Sequence, residues 1–304
     1  MSWRSLLISK GGKLSLHNNQ LLIAQQDGSH TVPLEDIAII VVENRETVLT
    51  APLLSALAQN GIGLLTCDEQ FLPCGQWLPF AQYHRPLKTL NLQLNATLPQ
   101  KKQLWQKIVR QKIINQSFVL NEMGADKAAE RLLHFAEKVK SGDSDNQEAQ
   151  AAAYYFQVAF GDEFTRQQEN SLNAHLNYGY TILRSAVARA LVQYGWLPAL
   201  GLHHHNEQNP FNLADDVIEP FRPLVDLWVH TTTLSGSLQD ELTPHNKQNL
   251  IQLLHYQMRW RGQIFTTLGA IDRSVASLQA ALKEKDAQKL TLPELLSLKE
   301  HNYE

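Results

Sequence analysis

The chain has 304 residues, 43% of them hydrophobic and 19% charged. That balance suits one large folded domain or two ordinary ones and excludes intrinsic disorder, which needs less hydrophobicity and more charge. The formal net charge is −3, which alone does not suggest a nucleic-acid binder, and no run approaches the roughly 18 apolar residues of a membrane span.

The N-terminal apolar run Leu6 to Ile8 is too short for a signal-peptide core, so the expected location is the cytoplasm, with no membrane partner. Residues 1 to about 80 read as short strands. Ser5–Ser9, Lys13–His17 and Leu21–Ala24 are apolar or alternating, with Gly11-Gly12 and Asn18-Asn19 between them as turns. Ile37–Val42 reads as a buried strand, Ala51–Asn60 as one helix stopped by Gly61, and 63–66 and 70–73 as two further strands. Cys67 and Cys74 are the only cysteines and match no zinc or redox spacing. Pro73, Pro79 and Pro86 suggest a linker or hinge at about 76–88.

From residue 89 the pattern is helical. Gln103–Phe118 carries apolar residues at 104, 105, 108, 109, 113 and 114, and the pattern continues through 125–138, 148–160, 172–194, 215–229 and 247–267. The expected architecture is α+β: a small N-terminal β-rich domain (1–80) with one helix, followed by a larger all-α C-terminal domain (89–304).

Charge is unevenly spread. Gln70 to Asn121 contains seven Lys and Arg and no Asp or Glu, leaving 20 basic against 30 acidic residues elsewhere. That asymmetry raises a polyanion partner, with a solvated helix face as the plain alternative. The densest polar constellation is 201–226. Asn212 reads as an N-cap, Asp215 and Asp216 as acids of the first turn, and Glu219 lies three to four residues further on, near the same face. Pro220 ends or kinks the helix there and turns the Glu219 carboxylate off the regular face. Convergent carboxylates need a cation, a basic residue or a proton to offset their repulsion. With the His203-His204-His205 run nearby, the mixture suits Mn²⁺ and tolerates Mg²⁺. Equally, Asp215 and Asp216 could only complement a helix dipole, and the histidines could be an exposed loop. Glu148 likewise reads as a first-turn acid, opening an Ala-rich helix that permits close approach of another, such as 172–194 with Asn173, Asn177, Tyr178, Arg184 and Arg189. No phosphate loop, dinucleotide glycine fingerprint or nucleophile elbow is present.

Three stretches in order resemble the integrase of CRISPR adaptation, the first of the CRISPR-associated protein families. They are Glu148-Ala-x-Ala-Ala-x-Tyr-Tyr, Leu176-Asn-Tyr-Gly-Tyr-Thr-Ile-Leu183, and Gly201-Leu-His-His with Asn209–Pro223. The last is the most specific and looks most like members from type II systems. The resemblance spans essentially the whole chain. It implies a divalent ion, Mg²⁺ or Mn²⁺, held by Glu148, His204 and Glu219, with Asp216 as a supporting acid. It implies phosphoryl transfer, in which a DNA fragment's 3′-hydroxyl is joined to the CRISPR repeat. It implies a homodimer, two of which flank a dimer of a small second adaptation protein in a heterohexamer. Arg85, Lys101, Lys102, Lys107, Arg110, Arg184 and Arg189 are then candidate DNA contacts. Two other classes remain: a DNA-binding structural subunit with a non-catalytic metal, and a metal hydrolase of small molecules.

Overall fold

The computed structural model describes residues 4–79, 83, 85–239 and 241–302. The strand-like start folds as β1 (Arg4–Ile8), β2 (Lys13–His17), β3 (Gln20–Gln25), β4 (Gly28–Pro33), β5 (Ile37–Val42) and β6 (Val48–Leu49). Asn18 and Asn19 join β2 to β3 with φ of 47° and 59°, the paired left-handed geometry of a tight hairpin. Next come α1 (Ala51–Gln59), β7 (Gly63–Cys67) and β8 (Pro73–Trp77). Two sheets result, ordered β4-β3-β2-β6 and β1-β5-β7-β8; in the second, β1, β5 and β7 are parallel and β8 runs against them.

β5 explains how this region meets the rest. All six of its residues are buried, and the two-residue period of a strand sends them to opposite faces. Ile40 and Val42, with Leu64, pack into the N-terminal core. Ile39 and Val41, with Leu65, pack into the much larger core of the helices. Polar contacts reinforce the seam. Arg189 donates to the carbonyls of Ala38 at 2.9 Å and Gly61 at 3.0 Å. Lys247 pairs with Glu43, both buried, and Ser5 Oγ lies 2.8 Å from His255 Nε2.

The expected linker at 76–88 lies partly on residues 80–82 and 84, outside the described residues. Its described parts are the end of β8 and the start of α2 (Pro86–Leu94). The helical region continues with α3 (Leu98–Glu122), α4 (Asp126–Lys138), α5 (Gln147–Phe160) and α6 (Ser171–Gln193). α7 (Asn212–Ile218), a 3₁₀ turn (Glu219–Phe221) and α8 (Arg222–Leu234) form one interrupted helix. The β-then-α order holds. α6 runs through the core, and its Gly179 is required there: a Cβ would sit 2.5 Å from Val225 Cγ1 of α8.

One expectation is corrected. The helix expected over 247–267 ends early, as α9 (Pro244–Gln252), and the chain then forms β9 (Tyr256–Trp260), β10 (Gln263–Thr266), α10 (Thr267–Glu284) and β11 (Glu294–Glu300). The C-terminal region is therefore not all-α; it carries an antiparallel sheet ordered β10-β9-β11. Arg261 and Gly262, with φ of 49° and 74°, make the two-residue turn that a helix cannot accommodate. β11 closes against α3, where buried Asn115 accepts from Leu295 N at 3.2 Å and donates to Pro220 O at 2.7 Å. That bridge fixes the turn carrying Glu219.

Candidate metal centre

The motif residues converge from four elements. Glu148 stands in the first turn of α5, but it is not the helix's cap. Asp143 takes that role, accepting from Gln147 N at 2.9 Å and Glu148 N at 3.0 Å. The Glu148 carboxylate is thereby freed, and its Oε1 lies 2.7 Å from Lys112 Nζ on α3. The same ammonium pairs with Oε2 of Glu219, whose other oxygen faces Arg222 Nε at 3.2 Å. Pro220 has the anticipated effect: the helix tightens into a 3₁₀ turn at Glu219.

His204 belongs to the same neighbourhood. Its Nδ1 lies 2.8 Å from Asp216 Oδ1. Asp216 is fully buried at 0% exposure and also accepts the backbone N–H groups of Leu202 at 2.5 Å, His203 at 3.1 Å and His204 at 3.1 Å. One carboxylate thus folds the Gly201–His204 turn around itself. Gly201 is obligatory there, because a Cβ would lie 2.1 Å from His204 O and 2.9 Å from Asp216 Oδ2. The adjacent rings discriminate between the histidines: His203 stacks on buried Trp105 with centroids 4.2 Å apart, while His204 meets Trp105 edge-on at 5.6 Å. His205 turns back to the His203 carbonyl at 2.6 Å.

The electrostatics follow from these pairs. The Asp216 hydrogen bond, outweighing burial, holds the His204 imidazole above its ordinary pKa. Burial works to raise the Glu219 carboxyl, but Arg222 and Lys112 together hold it below its ordinary value. Burial works to lower Lys112, and Glu219 and Glu148 raise it instead. Glu219 is thus buried with a cation on each carboxylate oxygen, Lys112 on Oε2 and Arg222 on Oε1.

These observations bear on a divalent ion. Asp216 occupies one ring nitrogen of His204 and leaves the other without a partner among the described residues, the carboxylate–histidine arrangement of metal sites. Two carboxylates from different elements already converge on a cation, the Lys112 ammonium. The donor set suits Mg²⁺ or Mn²⁺. Among the described residues, however, no three His, Cys, Asp or Glu side chains are gathered tightly enough to hold a metal ion; Lys112 is the shared partner of the two glutamates.

Other expectations fare differently. Asn212 is not an N-cap but the first residue of α7, after Phe211; its side chain ties the 199–209 loop together, donating to the carbonyls of Ala199, Asn206 and Asn209 at 3.0, 2.9 and 3.1 Å. Arg189 is not an available DNA contact, because its guanidinium is spent on the domain seam. Lys107 donates to Gln288 O at 3.3 Å. Arg85, Lys102 and Arg110 are exposed, and Lys101 and Arg184 partly so. Lys112, Asp143, Trp105 and Arg222 were not singled out from sequence. For Lys112 a signal existed: a charge on the buried stripe shared with Trp105, Ile108, Val109 and Val119.

A family model described as CRISPR associated protein Cas1 matches residues 6–260. Over its full length the chain is 64% identical to the CRISPR-associated endonuclease Cas1 of Neisseria meningitidis serogroup C (strain 8013), covering 100% of both. Among solved structures it is similar to a casposase bound to integration product, with TM-score 0.77, 20% identity and coverage of 94% of this chain and 93% of the other. It is also similar to a chain of a Cas6-RT-Cas1–Cas2 complex, with TM-score 0.74, 19% identity and coverage of 97% and 36%. Among the described residues, no helix is long and apolar enough to cross a membrane.

Proposed function

The chain belongs to the Cas1 family, and we propose that it is a divalent-metal-dependent DNA integrase and endonuclease of CRISPR spacer acquisition. The observation that carries this reading is the convergence of Glu148 and Glu219 on one buried ammonium, with the His204–Asp216 pair close enough to feel the Glu219 charge. The endonuclease name of the Neisseria relative and the integration product held by the casposase support it.

In this reading Glu148, His204 through its free ring nitrogen, and Glu219 hold Mg²⁺ or Mn²⁺. When bound, that ion lowers the pKa of the attacking hydroxyl and neutralises charge on the phosphate. The chain's own residues hold the parts still. Asp216 fixes the His204 ring and its tautomer. Arg222 anchors one oxygen of Glu219, and Asn115 anchors the turn that carries it. The reaction is a transesterification: a fragment 3′-hydroxyl forms a new bond to a repeat phosphorus, the existing P–O3′ bond breaks, and the displaced 3′-oxygen leaves as a hydroxyl. It needs no oxidant and no nucleotide cofactor.

The chain acts as a homodimer, two of which flank a dimer of a small second adaptation protein in a heterohexamer; its likeness to a chain from a complex containing Cas2 supports such a partner. Exposed Arg85, Lys102 and Arg110, with Lys101, supply phosphate contacts that position without reading sequence. The test is joining of a short duplex into a supercoiled repeat-bearing plasmid, with the partner and Mn²⁺ or Mg²⁺. Glu148→Ala and His204→Ala are expected to lose joining and keep DNA binding. Joining by both variants would refute the assignment. Lost DNA binding would point instead to a folding defect.

A further inference from the structure

A cavity of about 230 Å³ opens on the Arg222 side of Glu219. Three guanidiniums line it, from Arg166, Arg184 and Arg222, against a single carboxylate, that of Asp215. The way they are held matters. Arg166 donates to the side-chain oxygens of Asn173 and, at 2.6 Å, Asn177. Arg166 and Arg222 both lie against the Tyr180 ring, 5.1 and 4.9 Å from its centroid. That ring is itself anchored, its hydroxyl donating to buried Asp226. Arg184 lies over Phe211 at 5.4 Å and only 3.8 Å from Asp215 Oδ1. The other Asp215 oxygen is taken by Asn209 at 2.6 Å.

Amides and aromatic faces orient a guanidinium without cancelling its charge. Arg166 therefore has neutral hydrogen-bond partners, Arg184 a distant acid, and Arg222 a glutamate shared with Lys112, while the buried Asp226 carboxylate behind Tyr180 acts on Arg166 and Arg222 without pairing with either. The cavity wall is a standing positive field with fixed forks, the arrangement that matches a tetrahedral oxyanion. Asn177 is exposed at the rim and Thr181 partly so, which leaves the cavity open to solvent.

We propose that this cavity is a phosphate-binding subsite that seats a backbone phosphodiester of the DNA, next along the strand from the phosphate that reacts. The assignment rests on the strand-joining reading of the neighbouring centre. It moves a principal DNA grip from the basic stretch 85–112 to α6 and the segment before it. Arg222 joins the two, touching Glu219 with one edge and lining the cavity with another, so a seated phosphate sets the strand's position relative to Glu219.

The test uses the full chain with its partner. Arg166→Gln and Arg184→Gln are compared with Lys127→Gln, an exposed lysine of α4 outside the cavity. DNA affinity is followed across a salt series, and joining is followed in single turnover. Each cavity variant is expected to reduce the slope of log affinity against log salt by about 0.9, one phosphate's worth. Each is also expected to slow single-turnover joining at saturating DNA, with thermal unfolding unchanged for Arg184→Gln. Arg184→Lys should restore the slope and not the rate, because a point charge lacks the fork. Wild-type salt dependence in either glutamine variant overturns the proposal. Absence of joining by the wild type would instead remove the strand-joining reading, while the salt slopes would still report whether a phosphate sits there.

Discussion

Among the described residues two lysines are buried, each against glutamate, and they lie in different regions. At the domain seam Lys247 pairs one-to-one with Glu43, with side-chain exposures of 5% and 7% and the aromatic faces of Phe71 and Tyr178 nearby. At the candidate centre Lys112 is shared by Glu148 and Glu219, and Arg222 takes the other Glu219 oxygen. The first arrangement is complete, with charge matched to charge. The second is a shared network, in which Lys112 and Arg222 between them face two carboxylates. A sealed pair fixes geometry; the shared one holds two carboxylates from different elements together on a single ammonium, the place a divalent cation would take in the proposed centre.

Substitution of each lysine separates the two. Breaking a buried pair leaves an uncompensated charge and costs about 3–5 kcal/mol. Lys247→Met is expected to lose that much in urea unfolding, and added Mn²⁺ should stabilise it no more than it stabilises wild type. Lys112→Met should lose a comparable amount in metal-free buffer. Its gain from Mn²⁺ should exceed that of wild type, where saturation at a hundredfold excess over Kd is worth about 2.7 kcal/mol. Equal Mn²⁺ gains in all three proteins would break the comparison.

A third buried acid relies on hydroxyl donors, with the Arg166 and Arg222 guanidiniums acting on it without a direct ion pair. Asp226 accepts from Tyr155 Oη at 3.0 Å and from the Tyr180 hydroxyl, and burial pushes its carboxyl up to about 6. The folded state then holds the proton more tightly than the unfolded chain does. The cost of burying the charge is full above pH ~6 and vanishes towards pH ~4. Wild type should therefore gain on Asp226→Asn as pH falls through that window, by up to about 3 kcal/mol for a two-unit shift. A pH-independent difference in their unfolding free energies would contradict this. The smallest expected effect is at Asp216, which acts through His204: Asp216→Asn should weaken Mn²⁺ binding by about 10–100-fold without abolishing it.

Sequence periodicity carried the β-rich start and the helices of the middle of the chain, because alternation and the 3.6-residue repeat are set by burial of one face. It missed β9 to β11, whose strands are short and whose turn depends on left-handed Arg261 and Gly262. The centre was legible only through motifs. Glu148, His204 and Glu219 come from different elements, and no local spacing rule joins them. Glu148 could be read as a helix-start acid because nothing in its own helix reveals that Asp143 already caps it. Lys112 was counted with the basic stretch although it sits on the buried stripe of α3. Arg189 had the spacing of a surface stripe, yet its guanidinium serves two backbone carbonyls of the β region.

Mn²⁺ binding to the purified chain, followed by calorimetry and by the loss of the free-ion paramagnetic signal, tests the central claim most directly. Wild type should bind one ion per chain, and Glu148→Gln and His204→Gln should each lose that site while remaining folded. Wild-type stoichiometry and affinity in both variants would contradict it.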